Sequence, residues 1–262
     1  SVIRENFIAF DEELLETFNL YYNRTIGKEK NSGPLQPYFY MRSEGFWELI
    51  PQEGKEQAQS DLRQIDSLIQ LHKLVIGARL DDELFELIQN SKYRERLADI
   101  LIQTYLVPEL QERLSEARRI KTDALEYGQI LQTHRDGSFK VKDASNEQKD
   151  YHEESRSVAF RKVVRKAYDY TCAMCGIRVL TPEGAAAVEA AHIVPWNVSH
   201  NDDPRNGMAL CGLHHWVFDQ GLVCVDGGLR IRISPIVVQM SVGIGALQEL
   251  DESEIHKPVD RY

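Results

Sequence analysis

The feature that most constrains this 262-residue chain is a pair of short motifs with the same spacing. Cys172 and Cys175 are separated by two residues, and 36 residues after Cys175 the pair Cys211 and His214 repeats that separation. Three thiolates and one imidazole are a complete tetrahedral ligand set for zinc, so the sequence predicts a closed structural zinc site. The alternative is that these thiols are small buried core side chains, which we expect for Cys224 because no second motif accompanies it.

A second set of polar residues is interleaved with these motifs. In chain order the set is Glu189, His192, Asn206, His215 and Asp219. A neutral histidine supplies a base of near-neutral pKa, and imidazole and carboxylate side chains are ligands that can hold a cation. His215 and Asp219 are four residues apart, so one face of a helix would point both at the same cation.

The stretch from Cys172 to Asp226 resembles the HNH endonuclease family, in the McrA-like branch found in predicted bacterial restriction endonucleases. The resemblance is carried by the segments AHIVP at 191–195, DPRNGMALC at 203–211 and HHWVFD at 214–219. The catalytic unit of this family is a ββα-metal fold. The resemblance therefore implies two strands and a helix around one divalent cation, Mg²⁺ or Mn²⁺.

The resemblance also implies a role for each histidine. His192 corresponds to the family's general base, Asn206 to the residue that orients the active site, and His215 to a ligand of the catalytic cation. His214 stands where related domains have a second zinc-binding cysteine. Trp196, Trp216 and Phe218 are expected in the core around the zinc rather than as platforms for base stacking.

One position departs from the family pattern. Many HNH proteins have Asp or His directly before the base as a metal ligand, whereas this chain has Ala191. Glu189 shares a strand face with Ala191 and is a candidate to replace the missing ligand, the alternative being a surface carboxylate. Asp219 stands where some members have a second histidine, which makes it a candidate ligand. The alternative role for Asp219 is that of a helix-end residue hydrogen-bonded to local backbone.

The net charge of −10 argues against a surface that is basic throughout, but it conceals a local exception. Between residues 155 and 178 there are six basic residues and one acidic residue. A helix predicted over 157–170 has a basic face formed by Arg161, Lys162, Arg165 and Lys166. This face is either a solvated surface or a contact with the DNA backbone, and a nuclease needs such a region to approach a polyanion.

The first half of the chain predicts helices and one hairpin. Apolar periodicity predicts helices over 11–23, 62–71, 81–88 and 93–114, and aromatic runs at 38–42 and 46–50 predict a β-hairpin. Residues 37–50 resemble a motif in N-terminal domains of HNH restriction enzymes, including the sulfur-binding domain that recognises phosphorothioate DNA. Gln36 stands where that domain commonly has Tyr. Arg42 is the candidate DNA contact in this segment. In the alternative, the segment does not read DNA and is a hairpin whose aromatic side chains cover neighbouring helices.

The predicted fold class is α+β, with two domains. A mainly helical N-terminal domain with a β-hairpin, for DNA specificity or dimerisation, is expected at 1–118. A linker is expected at 119–154, where periodicity fades, and a zinc-stapled ββα-metal HNH domain at 155–262. No apolar run is long enough to span a membrane, and four cysteines in this pattern fit a reducing cytoplasm. The first residues lack both a signal-peptide pattern and an initiator Met, so upstream sequence is expected.

These observations favour a metal-dependent DNA endonuclease of a restriction system. Its substrate would be double-stranded DNA, with modified DNA as one candidate, and cutting both strands with one site per chain implies a homodimer. A nicking or homing-type enzyme is the alternative within the same class. The alternative from another class is a catalytically silent zinc module that binds nucleic acid or protein, which would need neither His192, Asn206 nor His215.

Overall fold

The chain forms two compact units in a computed structural model that describes residues 5–25, 33–133, 152–181, 185–240 and 245–259. The first unit comprises residues 1–119 with 181–185, and the second comprises 120–180 with 186–262. Both combine helices with short antiparallel strand pairs, which confirms the predicted α+β class. None of the helices in these described ranges is long and apolar enough to cross a membrane.

The first unit is mostly helical and has one pair of strands. Its elements are α1 (Glu12–Thr25), α2 (Leu35–Tyr40), β1 (Trp47–Pro51), α3 (Glu56–Asp61), α4 (Leu68–Leu74), β2 (Val75–Leu80), α5 (Asp82–Gln89), α6 (Ser91–Tyr105) and the beginning of α7 (Pro108–Thr133). β1 and β2 pair in antiparallel orientation. The buried side chains of Phe39, Leu71 and Ala78 belong to the core of this unit.

Two helix starts in this unit follow the sequence signals, whereas the helix predicted over 62–71 begins only at Leu68, as α4. The backbone N–H of Leu14 donates to the Asp11 carboxylate at 3.0 Å, and that of Leu84 donates to Asp81 at 3.1 Å, so each aspartate caps a predicted helix. The single helix predicted over 93–114 is wrong, because α6 ends at Tyr105 and α7 begins at Pro108. Proline disfavours helical backbone in the residue before it, which ends the first helix.

The predicted hairpin is also wrong in its first arm. Residues 38–42 are helical, and a 3₁₀ turn over Met41–Glu44 follows α2. The second arm is a strand, but it pairs with β2, with Trp47 opposite Leu80. The Trp47 indole N–H donates to the carbonyl of buried Tyr38 at 2.9 Å. A short aromatic run can be buried equally well in a helix or a strand, so its pattern alone did not decide between them.

The second unit contains the predicted ββα arrangement. Its elements are the end of α7, α8 (Glu153–Ala167), β3 (Val188–His192), α9 (Trp196–Ser199), β4 (Gly207–Cys211), α10 (Gly212–Asp219), β5 (Val223–Val225), β6 (Ile231–Ile233), α11 (Pro235–Met240) and α12 (Gly245–Gln248). β3 and β4 are antiparallel, and α10 follows β4 directly. β5 and β6 form a second small antiparallel pair.

Helix α8 packs its apolar face on this pair of strands. Phe160, Val163 and Val164 are buried in the same core as Val188 of β3. Gly207, the first residue of β4, lies directly against α8. A Cβ atom added there would clash with Val164 and would lie 3.0 Å from the Phe160 ring, so only glycine lets helix and strand approach this closely.

The linker predicted at 119–154 overlaps two helices, because α7 continues to Thr133 and α8 begins at Glu153. The buried apolar residues of α7 after residue 119 are Ile120, Ala124, Tyr127 and Leu131. They recur at helical spacing, and the last three belong to the core of the second unit. Charged residues between them hid this periodicity. The turn expected at 135–138 lies outside the described residues, as does most of the polar run at 143–154.

Candidate metal and nuclease site

The two cysteine motifs meet in one cluster, which we call the Cys₃His cluster: Cys172, Cys175, Cys211 and His214. Their ligand atoms all lie within 4.8 Å of one another. His214 Nδ1 is 3.1 Å from Cys211 Sγ and 3.5 Å from Cys172 Sγ, and Cys175 Sγ is 4.0 Å from Cys211 Sγ. Ligands at the corners of a zinc tetrahedron are separated by about 3.6–3.8 Å, so the donor set and its spacing fit a zinc ion.

Backbone hydrogen bonds build the cluster from distant parts of the unit. The turn that carries the first two cysteines closes with Gly176 N–H donating to the Cys172 carbonyl at 2.9 Å. Gly176 has a φ of +71°, a conformation that favours glycine. Ala173 N–H donates to the Ala209 carbonyl at 2.7 Å, which fixes this turn beside β4 and therefore beside Cys211.

The thiols of this cluster differ in acidity. Burial raises the pKa of the Cys172 thiol, but hydrogen bonds from His214 and from backbone amides outweigh it and lower that pKa to about 6. Burial raises the pKa of the Cys175 thiol to about 12. Because metals bind thiolates, occupation of the cluster by a metal requires loss of the Cys175 proton.

A second group, which we call the His215 group, consists of Glu189, His215 and Asp219. His215 Nδ1 lies 2.9 Å from the Glu189 carboxylate on β3, and His215 Nε2 lies 3.4 Å from the Asp219 carboxylate one turn later on α10. Both carboxylates are largely exposed. The sequence predicts that these three residues lie at one cation, and the structure brings them together, with Glu189 on the side of β3 that faces α10.

The arrangement within the His215 group differs from the expected one. The two carboxylates contact different ring nitrogens, so an ion at His215 Nδ1 is beside Glu189 and away from Asp219. Asp219 Oδ2 lies 3.4 Å from Nε2, on the other side of the ring. A carboxylate beside the outer ring nitrogen of a metal-binding histidine is a common arrangement that orients the ring.

His192 lies in a different environment. Its ring is stacked on Phe160 of α8, with centroids 4.0 Å apart and planes at 2°, and Trp196 lies on a second side at 6.0 Å. His192 Nε2 is 3.0 Å from the Asp202 carboxylate. Within the described ranges it makes no direct polar contact with the His215 group. Its side chain remains 23% exposed and is accessible to water.

Asp202 is a site residue that the sequence reasoning missed. It is buried, and besides His192 it contacts the Tyr127 hydroxyl at 3.0 Å and Arg156 Nε at 3.3 Å. Burial, followed by the charge and hydrogen bond of Asp202, raises the pKa of Tyr127, which therefore stays protonated. In the sequence Asp202 directly precedes the family segment at 203–211, which begins at Asp203, so no motif marks Asp202.

Asn206 is buried and holds the loop that follows His192. Its side-chain amide donates to the carbonyls of Val194 at 3.1 Å and Asn201 at 3.0 Å, and its oxygen accepts from Val194 N–H at 2.8 Å. All three bonds are to backbone atoms of the segment between His192 and Asn206. This geometry is what a residue that orients the site requires.

The basic face predicted on α8 is present as a partly exposed surface. Arg161 and Lys166 are exposed, whereas Lys162 and Arg165 are half-buried. Arg42 has a different environment, in the first unit: its guanidinium donates to the carbonyls of Gln59 and Leu62 and lies 4.0 Å from the centre of the Phe39 ring. These contacts hold the Arg42 side chain within the first unit, and its contact with DNA stays a prediction.

Two further predictions are wrong. Cys224 is exposed on β5 rather than buried in the core, because it alternates with buried Val223 along a short strand. Trp216 is 57% exposed, because it follows His215 on the outward side of α10. Phe218 does pack against the core, and Trp196 is half-buried, with the Arg156 guanidinium 4.0 Å from its ring centre.

Comparison with known proteins agrees with the geometry of the second unit. Residues 172–226 match the sequence model of the HNH endonuclease family. None of the curated proteins compared with the chain matches it. A solved structure described as "Modification dependent TagI restriction endonuclease" is 23% identical, with a TM-score of 0.27, over 39% of this chain. The match spans 31% of that solved chain.

Proposed function

From an HNH endonuclease domain at residues 172–226, we propose that this protein is a metal-dependent DNA endonuclease of a restriction system. Its reaction would be hydrolysis of phosphodiester bonds in double-stranded DNA. The observation that carries the proposal is the ββα unit itself, which places the His215 group beside the Cys₃His cluster on two strands and one helix. A silent zinc module would need only the cluster.

The two groups would hold different metals. Zinc is proposed for the Cys₃His cluster, where four protein ligands leave no open position, as in structural sites. Mg²⁺ or Mn²⁺ is proposed at Glu189 and His215 Nδ1, with Asp219 orienting the ring. Bound there, the cation would supply positive charge to a phosphate oxygen and to the leaving oxygen.

His192 is proposed as the general base and Asn206 as the residue that holds its loop. His192 would take a proton from water, and the resulting hydroxide oxygen would form a new bond to phosphorus. The bond between phosphorus and one sugar oxygen would break, and that oxygen would leave with a proton supplied by solvent. A neutral imidazole that is partly exposed to water suits this role.

DNA would approach over α8. Arg161, Lys162, Arg165 and Lys166 offer positive charge on a helix that packs against β3, the strand that carries both His192 and Glu189. We propose that the first unit supplies specificity or dimerisation, that two copies act together on both strands, and that modified DNA is a candidate substrate. The reduced thiols of the cluster suit the expected cytoplasmic location.

The test is digestion of unmodified, methylated, hydroxymethylated and phosphorothioated DNA with Mg²⁺ or Mn²⁺. Cleavage should occur on at least one substrate and should stop in His192→Ala, which should still bind DNA because a base acts mainly in the transition state. His72→Ala is the control, because His72 is an exposed histidine of the first unit. A protein that holds zinc and binds DNA but cleaves none of these substrates would be the silent module instead.

A further inference from the structure

Asp202 is the centre of a hydrogen-bonded group that neither metal site uses. Its side chain is only 4% exposed, yet it receives three partners from three elements. Oδ1 faces His192 Nε2 on β3, and Oδ2 faces both the Tyr127 hydroxyl of α7 and Arg156 Nε of α8. A buried carboxylate costs free energy unless it is paired, and three polar partners around one side chain supply that pairing.

The chemistry of these partners determines where the protons lie. The Arg156 guanidinium can only donate, and the Tyr127 hydroxyl, whose pKa is raised, donates as well. Asp202 is therefore the acceptor in all three contacts. The 3.0 Å contact with His192 then requires that His192 Nε2 carries a proton.

This hydrogen bond allows only one tautomer of the neutral His192 imidazole. With a proton on Nε2, the lone pair that can accept a proton is on Nδ1. Parallel stacking on Phe160 restrains the plane of the ring, and Asp202 restrains its rotation within that plane. Both the tautomer and the direction of the lone pair are thus determined by neighbours of His192.

We propose that Asp202 is a positioning residue that makes His192 Nδ1 the proton-accepting atom of the nuclease. Once Nδ1 takes the proton from water, the imidazole is a cation, and the adjacent carboxylate stabilises it. The catalytic consequence rests on the proposed function, whereas the tautomer rests only on the contacts of Asp202.

Asp202→Asn tests this role while keeping the shape of the side chain. An asparagine amide can donate to Nε2, which allows the other tautomer, with its proton on Nδ1. We expect kcat to fall by about 10²–10⁴-fold with little change in KM for DNA, as wrong-tautomer substitutions do in serine protease triads. Nitrogen-15 NMR of the His192 ring should show the proton on Nε2 in the wild type and on Nδ1 in the variant.

Asp203→Asn is the matched control. Asp203 is the neighbouring buried carboxylate, but it caps the backbone N–H of Arg205 at 2.9 Å and pairs with the Arg205 side chain. This variant should also lose stability, yet it should keep the His192 tautomer and a cleavage rate near that of the wild type. A purely structural role for Asp202 would make the two variants alike.

Two results would overturn the proposal: an Nε2 proton that is unchanged in Asp202→Asn, or a kcat for that variant within a few-fold of wild type. If the wild-type protein cleaves no DNA, the proposed function fails, but the NMR measurement still decides whether Asp202 sets the tautomer. The two failures are therefore distinguishable.

Discussion

The two adjacent histidines of α10 lie in opposite chemical settings. His214 is 5% exposed and faces thiols, whereas the side chain of His215 is 24% exposed and faces carboxylates. Sulfur and nitrogen donors in a closed set of four protein ligands suit zinc, and oxygen donors in an open set suit Mg²⁺ or Mn²⁺. A single helical step of about 100° is enough to separate a site that stabilises the fold from one that can admit a substrate.

The largest effect is expected from His214→Ala. Removing one ligand should release zinc, and because structural zinc contributes about 10–16 kcal/mol to folding in small domains, the second unit should lose most of its stability. His214→Cys should restore both zinc content and melting temperature, because thiolate is an equally suitable ligand. Elemental analysis and thermal unfolding measure the two quantities. Retention of zinc by the alanine variant would contradict the assignment of His214.

His215→Ala should fail in a different way. It should keep zinc and its melting temperature but lose about 10³-fold in cleavage rate, since a bound cation contributes several kcal/mol to transition-state stabilisation. Glu189→Gln should behave similarly, and higher Mn²⁺ should partly rescue both variants. The measurement is the cleavage rate as a function of Mn²⁺ concentration. If His215→Ala loses zinc while His214→Ala keeps it, the roles of the two residues are reversed.

A smaller effect is expected from Asp219→Asn. If Asp219 orients His215 through Nε2 rather than binding the cation, its loss should weaken Mn²⁺ affinity by about 10–100-fold, as outer-shell substitutions do. Saturating Mn²⁺ should then recover most of the cleavage rate. Glu189→Gln, which removes a proposed ligand, should require more Mn²⁺ than Asp219→Asn. Equal requirements in the two variants would show that both carboxylates bind the ion.

The contrast also shows which parts of the site a sequence can predict. The Cys₃His cluster was predictable because each motif is local and its spacing is dictated by metal geometry. Glu189 was predictable from strand alternation. Asp202 was not, because Tyr127 and Arg156 come from distant helices and the family segment at 203–211 begins only at Asp203. The hairpin arm expected at 38–42 failed for a related reason, since burial by distant segments, not local pattern, determined that these residues are helical.

The smallest effect is expected from Gly207→Ala, which perturbs the first residue of β4, opposite His192 of β3. Gly207 pairs with His192 across the sheet and packs against Val164 and Phe160, so an added methyl must push α8 away from β4. Overpacking of this kind costs about 1–3 kcal/mol, a loss that a differential melting curve resolves. Zinc should remain bound, because the cluster lies at the other end of β4, at Cys211. Cleavage should fall, because Phe160 supports the His192 ring.

Gly212→Ala is the control, since a Cβ added at Gly212 meets nothing within 4 Å. If both variants lower cleavage equally, contact between α8 and β4 is not what holds His192 in place.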